Sequence, residues 1–404
     1  MKNILVQKFG GTSVATAEIR KQVIQKIVNA KKAGYEVVVV VSAMGRKGAP
    51  YATDTLIQLA KESGNTVSAR EMDLLMSCGE IISGVVLATT LQNMGYEAVF
   101  LTGAQAGIIT NNEFGNACIS RVEPDRVKEY LEKKQIVIVA GFQGISEDGE
   151  ITTLGRGGSD TTATALGVAL NAEAVEIYTD VDGVKTADPK IVGDAKTLEN
   201  VTYNEVCQLA YEGAKVVHPR AVEIAMKYNI PLRVKSTFTD DPGTLVSNTK
   251  SDALELNERL ITGITQIPNL TQLRIDTSRT EDNKIHLRIF KAMALAKISV
   301  DFINVFTDEV IFCVKDEVTE DAIKILENMK LEVKENRGCA KIAAVGAGMT
   351  GIPGVMARIV EALTDAGIEI LQSADSYTSI WCLVKKEKME DAVKALHHQF
   401  NLNK

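Results

Sequence analysis

The chain has 404 residues, 45% hydrophobic and 24% charged, with 45 Lys and Arg against 52 Asp and Glu and a formal net charge of -7. That length predicts two or three domains with cores that stand without metal or disulfide staples. The acidic balance, without a dense basic run, excludes a general nucleic-acid binder. The cysteines at 78, 118, 207, 313, 339 and 382 contain no CxxC pair, which argues against a zinc site and fits reduced thiols in a cytoplasmic protein. The start, MKNILVQKFGG, has no apolar run long enough for a signal peptide. The longest apolar block, around Val37 to Val41, falls far short of the roughly 20 residues of a membrane span. No membrane and no nucleic acid are therefore expected as partners.

In chain order, residues 4–9 read as a short apolar strand. From Glu18 to Lys32, Ile19, Val23, Ile27 and Ala30 recur at helical spacing, and Gly34 stands where a helix would end. EVVVVV (36–41) is a β-branched run of the kind buried on both faces of a parallel sheet. A helix is expected near 71–94, a strand over 96–103, a helix near 123–133 and a strand over 135–144. A helix from Asp160 to Leu170, a strand over 172–180, a helix near 203–212 and a strand over 230–236 follow. Such alternation predicts an α/β layered domain with a mostly parallel central sheet, ending near residue 248.

The remaining residues repeat with a constant offset of 70. Ala292, Ala296 and Ile298 fall on Ala362, Ala366 and Ile368, and Asp321, Ala322, Lys324 and Leu326 on Asp391, Ala392, Lys394 and Leu396. This predicts two copies of a small domain, each strand, helix, two strands, helix and a last strand, a ferredoxin-like βαββαβ unit.

Four motifs carry charge at glycine-rich turns. In KFGGTS (8–13), Lys8 ends a strand, Gly10 and Gly11 allow close backbone approach, and Thr12 and Ser13 are expected to open a helix whose free N–H groups face an anion. It is no P-loop. In LGRGGSDTTATALG (154–167), Arg156 can grip a carboxylate, with Ser159 or Asp160 as the expected helix cap. YTDVDGVKTADPK (178–190) brings Asp180, Asp182, Lys185 and Lys190 to a turn-rich segment, and EGAKVVHP (212–219) brings Lys215. Cations and bare amides at strand ends suit phosphoryl transfer, which needs positioning and charge neutralisation more than covalent chemistry. GAGMTG (346–351) fits a dinucleotide fingerprint, but it lies inside the second repeat, with 53 residues after it, too few for such a domain. His218, His286, His397 and His398 form no triad or metal set and read as structural or surface.

KFGGTS, SCGE (77–80), GRGGSDTTA (155–163), TDVDGVKTADP (179–189) and GAKVVHPRA (213–221) together resemble, in order and spacing, the signatures of the aspartate kinase family, over essentially the whole chain. VSAMGRKGAPYATD (41–54) and LQSADSYTSIW (371–381) look most like its diaminopimelate-regulated Bacillus-type branch.

The resemblance implies an amino-acid-kinase catalytic domain at 1–248 and two ACT domains at 262–335 and 338–404. It implies transfer of the γ-phosphoryl of ATP to the β-carboxylate of L-aspartate, the first step toward diaminopimelate, lysine, threonine and methionine. Lys8 would stabilise the transferring group, with Asp160 holding Lys8. Thr53, Glu80, Arg156 and Ser159 would bind aspartate, Glu80 taking its ammonium and Arg156 its α-carboxylate. Lys8, Gly10, Gly11, Ser42, Thr179, Asp180, Lys185, Lys190 and Lys215 would surround ATP, with Mg²⁺ held mainly by the phosphates.

It also implies a homodimer through the ACT domains. A diaminopimelate or lysine effector would lie near Ile285, Ser299, Val300 and Asp301. Two other readings stay open: an enzyme of this fold acting on glutamate, carbamate or UMP, and a non-catalytic ACT sensor.

Overall fold

The computed structural model describes residues 3–64, 66–214, 216–248, 260–280, 282–349 and 351–404, which divide into two compact units. Most of the chain up to residue 248 forms the first unit. Lys185–Lys196 and Tyr211–Ala214 belong with the C-terminal residues in the second.

The first unit is built on an eight-stranded sheet. Its order is Asn200–Val201, Thr244–Val246, Leu232–Ser236, Ala174–Thr179, Ile4–Phe9, Glu36–Val41, Ile136–Ala140 and Ala98–Leu101. Every neighbouring pair is parallel except Leu232–Ser236 with Thr244–Val246. Central position explains the composition: all six residues of Glu36–Val41 are buried. Phe9 stacks on Tyr178 at 4.7 Å, and with Val39, Val41, Ile24, Ile27 and Leu87 they form one core. A four-stranded sheet, Ile119–Val122, Ile108–Thr110, Gln143–Ser146 and Ile151–Thr153, stands beside it.

Several expectations are corrected. The single strand over 135–144 is two strands in two sheets, separated by Gly141 and by Phe142 at a left-handed φ of 68°. Thr12 and Ser13 do not open the first helix. Ala17–Lys32 begins after Thr16, whose hydroxyl accepts the Ile19 N–H, and the Ser13 hydroxyl is bonded to Thr237 at 2.7 Å. Two further helices, Thr53–Ser63 and Pro219–Tyr228, went unforeseen. Ala69–Asn93 has the length and hydropathy of a membrane span, although half of its most apolar window is buried. Its Asp73 accepts from the Gly115 N–H, the Thr153 N–H and the Thr153 hydroxyl, which ties the helix to the small sheet.

The second unit is a six-stranded antiparallel sheet, in the order Asp301–Val305, Glu309–Lys315, Gly263–Asp276, Glu332–Val345, Ser379–Lys385 and Gln372–Asp375. The constant offset reappears in the pairs that begin equivalent elements: Ile285 and Val355, Glu309 and Ser379, Thr319 and Met389. The long strands Gly263–Asp276 and Glu332–Val345 serve both copies, with a break in register between Ile267 and Leu270. Leu273 and Ile275 lie in the core of the first copy; Ile261 and Ile264 lie in that of the second. The last strand expected after the final helix is absent. The chain turns at 401–403, and Gly263–Ile267 pairs with Lys341–Val345 in its place. The glycine opening the dinucleotide-like motif has a packing reason, since a Cβ on Gly346 would meet the Leu260 carbonyl oxygen at 2.4 Å.

Lys341 is a buried lysine, 4% exposed. Its ammonium pairs with Glu212 at 2.8 Å and Asp301 at 2.9 Å and lies 4.7 Å from the Trp381 ring centre. Burial pushes the Glu212 carboxyl up, and Lys341 opposes that. Lys341→Met strands two carboxylates, so it is expected to lower stability by about 3 kcal/mol in denaturant titration. An unchanged midpoint would show the cluster to be incidental.

Candidate active site

The central strands end in register: Phe9 is level with Val41 and Tyr178, Val41 with Ala140, and Thr179 with Ser236. Ligands of parallel sheets bind at such carboxyl ends. Lys8 pairs there with Asp160 at 2.7 Å, both side chains nearly nine-tenths covered. Asp160 does not cap its helix, contrary to expectation. Gly157 occupies the cap of Gly158–Ala169 with φ 70°, and no side chain bonds to the helix start. Asp160 is free for Lys8 and, through its other oxygen, accepts the His218 N–H at 3.3 Å.

Gly157 has a second reason to be glycine. A Cβ there would lie 2.0 Å from the His218 ring, so the loop rests on the imidazole. Gly11 is constrained in the same way. Its Cβ would meet the Ala43 carbonyl oxygen at 2.6 Å, and its own carbonyl accepts the Gly45 N–H. Gly10 is more open, with the Lys8 ammonium 3.5 Å from where its Cβ would stand. Ser42 follows the second strand and donates its N–H to the Phe9 carbonyl. Ser159 packs against Gly141, at the end of the neighbouring strand.

Glu80 is the most perturbed carboxyl of this region. It is 2% exposed on the long helix, and burial pushes it up to about 8, against the pull of the Ala43 N–H on Oε1 at 2.9 Å. Its Oε2 is buried without a partner among the described residues. Gly79 lets the 43–51 segment close over this point: a Cβ there would lie 2.7 Å from the Ala43 Cβ. Thr53 begins the Thr53–Ser63 helix, half-buried. Arg156 is exposed and, among the described residues, makes no ion pair.

Thr179 donates to Asp180, and Asp180 pairs with Arg46 at 2.6 Å. Arg46 was missed in the sequence. Gly45 and Gly48, both at positive φ, mark its turn. Lys185 and Lys190 lie in Lys185–Lys196, in the second unit. Lys215 lies outside the described residues. Among the described residues, no cluster of three or more His, Cys, Asp or Glu is arranged to hold a metal.

Of the residues expected to meet an effector, Ile285 has its side chain in the core of the first copy. Val300 packs against that core, Ser299 is exposed, and Asp301 is already paired with Lys341.

Residues 3–236 match the model of the amino acid kinase family, and residues 334–398 match an ACT domain model. Aspartokinase 1 of Bacillus subtilis (strain 168) is 51% identical over 403 residues, covering 99% of this chain and 100% of that protein. The aspartokinase of Geobacillus stearothermophilus is 43% identical over 405 residues, covering 99% and 97%. Among solved structures, E. coli aspartokinase III in complex with aspartate and ADP superposes with a TM-score of 0.77 at 26% identity, covering 98% of this chain and 99% of that one. With this likeness running the length of the molecule, the chain belongs to the aspartokinase family.

Proposed function

We infer that this aspartate kinase binds ATP and L-aspartate at the rim around Lys8 and transfers the γ-phosphoryl group to the β-carboxylate. An oxygen of the carboxylate bonds to the γ-phosphorus, the bond from that phosphorus to the β,γ-bridging oxygen breaks, and ADP leaves with the electron pair. A carboxylate is already nucleophilic near neutral pH, so no general base is required. The observation that carries the reading is the covered Lys8–Asp160 pair at the strand ends, a fixed cation with a covered carboxylate to hold it.

Lys8 would follow the charge of the transferring group, and Arg156 would take the α-carboxylate in the bidentate manner its fork allows. Glu80, with an unpartnered buried oxygen, suits the substrate ammonium. Thr53 and Ser159 would complete the acceptor site. Gly10, Gly11, Ser42, Thr179, Asp180, Lys185, Lys190 and Lys215 would attend the nucleotide. Mg²⁺, carried by the phosphates, would neutralise charge between the β and γ groups. The Lys8 cation at the strand ends suits a phosphate chain.

Feedback control by lysine or diaminopimelate through the C-terminal repeat is proposed as well. E. coli aspartokinase III has been solved with lysine and aspartate in its T-state. A homodimer is proposed through the same region, where Ile303, Val305 and Phe306 are about half exposed. A cytoplasmic location fits the free thiols.

Hydroxamate trapping with ATP, Mg²⁺ and aspartate tests the function, with and without diaminopimelate or lysine. The expected result is turnover with aspartate that one of these compounds depresses. Faster turnover with glutamate, carbamate or UMP would overturn the acceptor. A rate indifferent to both amino acids would overturn the proposed effector class.

A further inference from the structure

His218 was expected to be structural or surface, yet it is engaged on three sides. Its backbone N–H donates to Asp160 Oδ2 at 3.3 Å, on the carboxylate whose Oδ1 pairs with Lys8. Its ring lies against Gly157, too close for any side chain there. Its Nδ1 accepts the Arg220 N–H at 3.3 Å, so the imidazole caps the Pro219–Tyr228 helix. The same helix start sends the Arg220 guanidinium to the Leu154 carbonyl at 3.1 Å. The 154–160 loop is thus held at Leu154, Gly157 and Asp160 by consecutive parts of one helix terminus.

We propose that His218 is a positioning residue for phosphoryl transfer, and that its neutral ring keeps Asp160 and the Arg156 loop where Lys8 and the acceptor need them. The proposal rests on reading Lys8 and Asp160 as the transfer site.

The chemistry of the cap sets the condition. Nδ1 accepts a hydrogen bond only while it carries no proton. Protonation would turn Nδ1 into a donor facing another donor, and the cap would open. The charged groups facing the ring are Asp160 from the Gly158–Ala169 helix, which favours protonation, and Arg220 and Glu223 on its own helix, which oppose and favour it respectively. Burial outweighs them and holds the ring below the usual histidine range. The capped state is therefore formed at neutral pH and is lost as pH falls through a range below that of an ordinary histidine.

The experiment is the pH profile of kcat and KM for the full-length wild type, His218→Asn and His218→Ala, with melting curves alongside. Asparagine offers a capping oxygen that does not titrate. The expected result is an acid limb in wild-type kcat that flattens in His218→Asn, whose kcat at neutral pH falls by no more than about threefold. His218→Ala is expected to lose about tenfold in kcat across the range, with KM for ATP little changed.

An acid limb identical in wild type and His218→Asn would overturn the proposal, as would a loss confined to melting temperature. If the variants fold poorly, ring-proton NMR of the wild type decides. With four histidines in the chain, one signal must titrate together with the acid limb; if none does, the proposal fails. Lys8→Ala, assayed in parallel, tests the underlying site separately.

Discussion

Lys8→Ala is expected to lower kcat at least about 100-fold, the usual consequence of removing one preorganised group that meets charge developing in the transition state. The effect has two parts. The ammonium that would follow the transferring phosphoryl is gone. In addition, Asp160 is left as an unpaired carboxylate nearly nine-tenths covered, beside the path of an incoming anion. Arginine should not restore the rate. Its planar fork replaces a compact charge set by a 2.7 Å pair with Asp160 and would place its own charge elsewhere. Stopped-time hydroxamate assays at saturating ATP and aspartate check this. KM for aspartate should move far less than kcat, because the lost interaction belongs to the transition state. A loss below about tenfold would remove Lys8 from the transfer step and, with it, the argument built on its pairing with Asp160.

The parts of the fold legible in the sequence were those whose signal is local. Glu36–Val41 is a run of valines because both faces of its strand are covered, and composition alone shows that. The repeat offset survived into the structure because matching elements occupy matching positions in two copies. What was not legible depends on pairing at a distance or on backbone torsion. Phe142 at positive φ splits a continuous-looking strand, and nothing in its side chain announces this.

The placement of Gly263–Ile267 in the second copy follows from pairing with Lys341–Val345, which no local pattern encodes. The Lys341 cluster joins residues 40 and 129 positions apart and looks in sequence like ordinary surface charge. At the site, the glycines were found but some of their reasons were not. Gly11 and Gly157 are needed against Ala43 and His218, contacts that only the folded chain brings together. His218 had a readable sign, since a capping-competent residue precedes Pro219, but the sign marks a helix start and not a chemical role.

Glu80→Gln is expected to raise KM for aspartate about 100-fold, which corresponds to losing one charge-assisted pair with the substrate ammonium in a covered site. The same substitution should make the free enzyme more stable, and the sign follows from the titration. Folding raises the Glu80 carboxyl from 4.5 to about 8 because burial penalises the anion. The folded state therefore holds a proton that the unfolded chain releases. Stability from this residue is fully present below about pH 4.5 and declines as pH rises toward 8.

Glutamine keeps an oxygen for the Ala43 N–H and carries no charge, so it escapes the decline. The advantage of the variant should be near zero at about pH 4.5 and on the order of 4 kcal/mol at about pH 8. Denaturant titrations at the two ends of this window measure it. On the proposed role of Glu80, the substrate ammonium would be the partner that Oε2 lacks, so aspartate binding to the wild type within the window should release up to one proton, visible as a buffer-dependent heat in calorimetry; the variant should release none. A stability difference that is the same at both ends of the window would mean that Glu80 is ionised in the free enzyme. The site would then be strained by an unpaired anion, not poised as a neutral acid awaiting the substrate's ammonium.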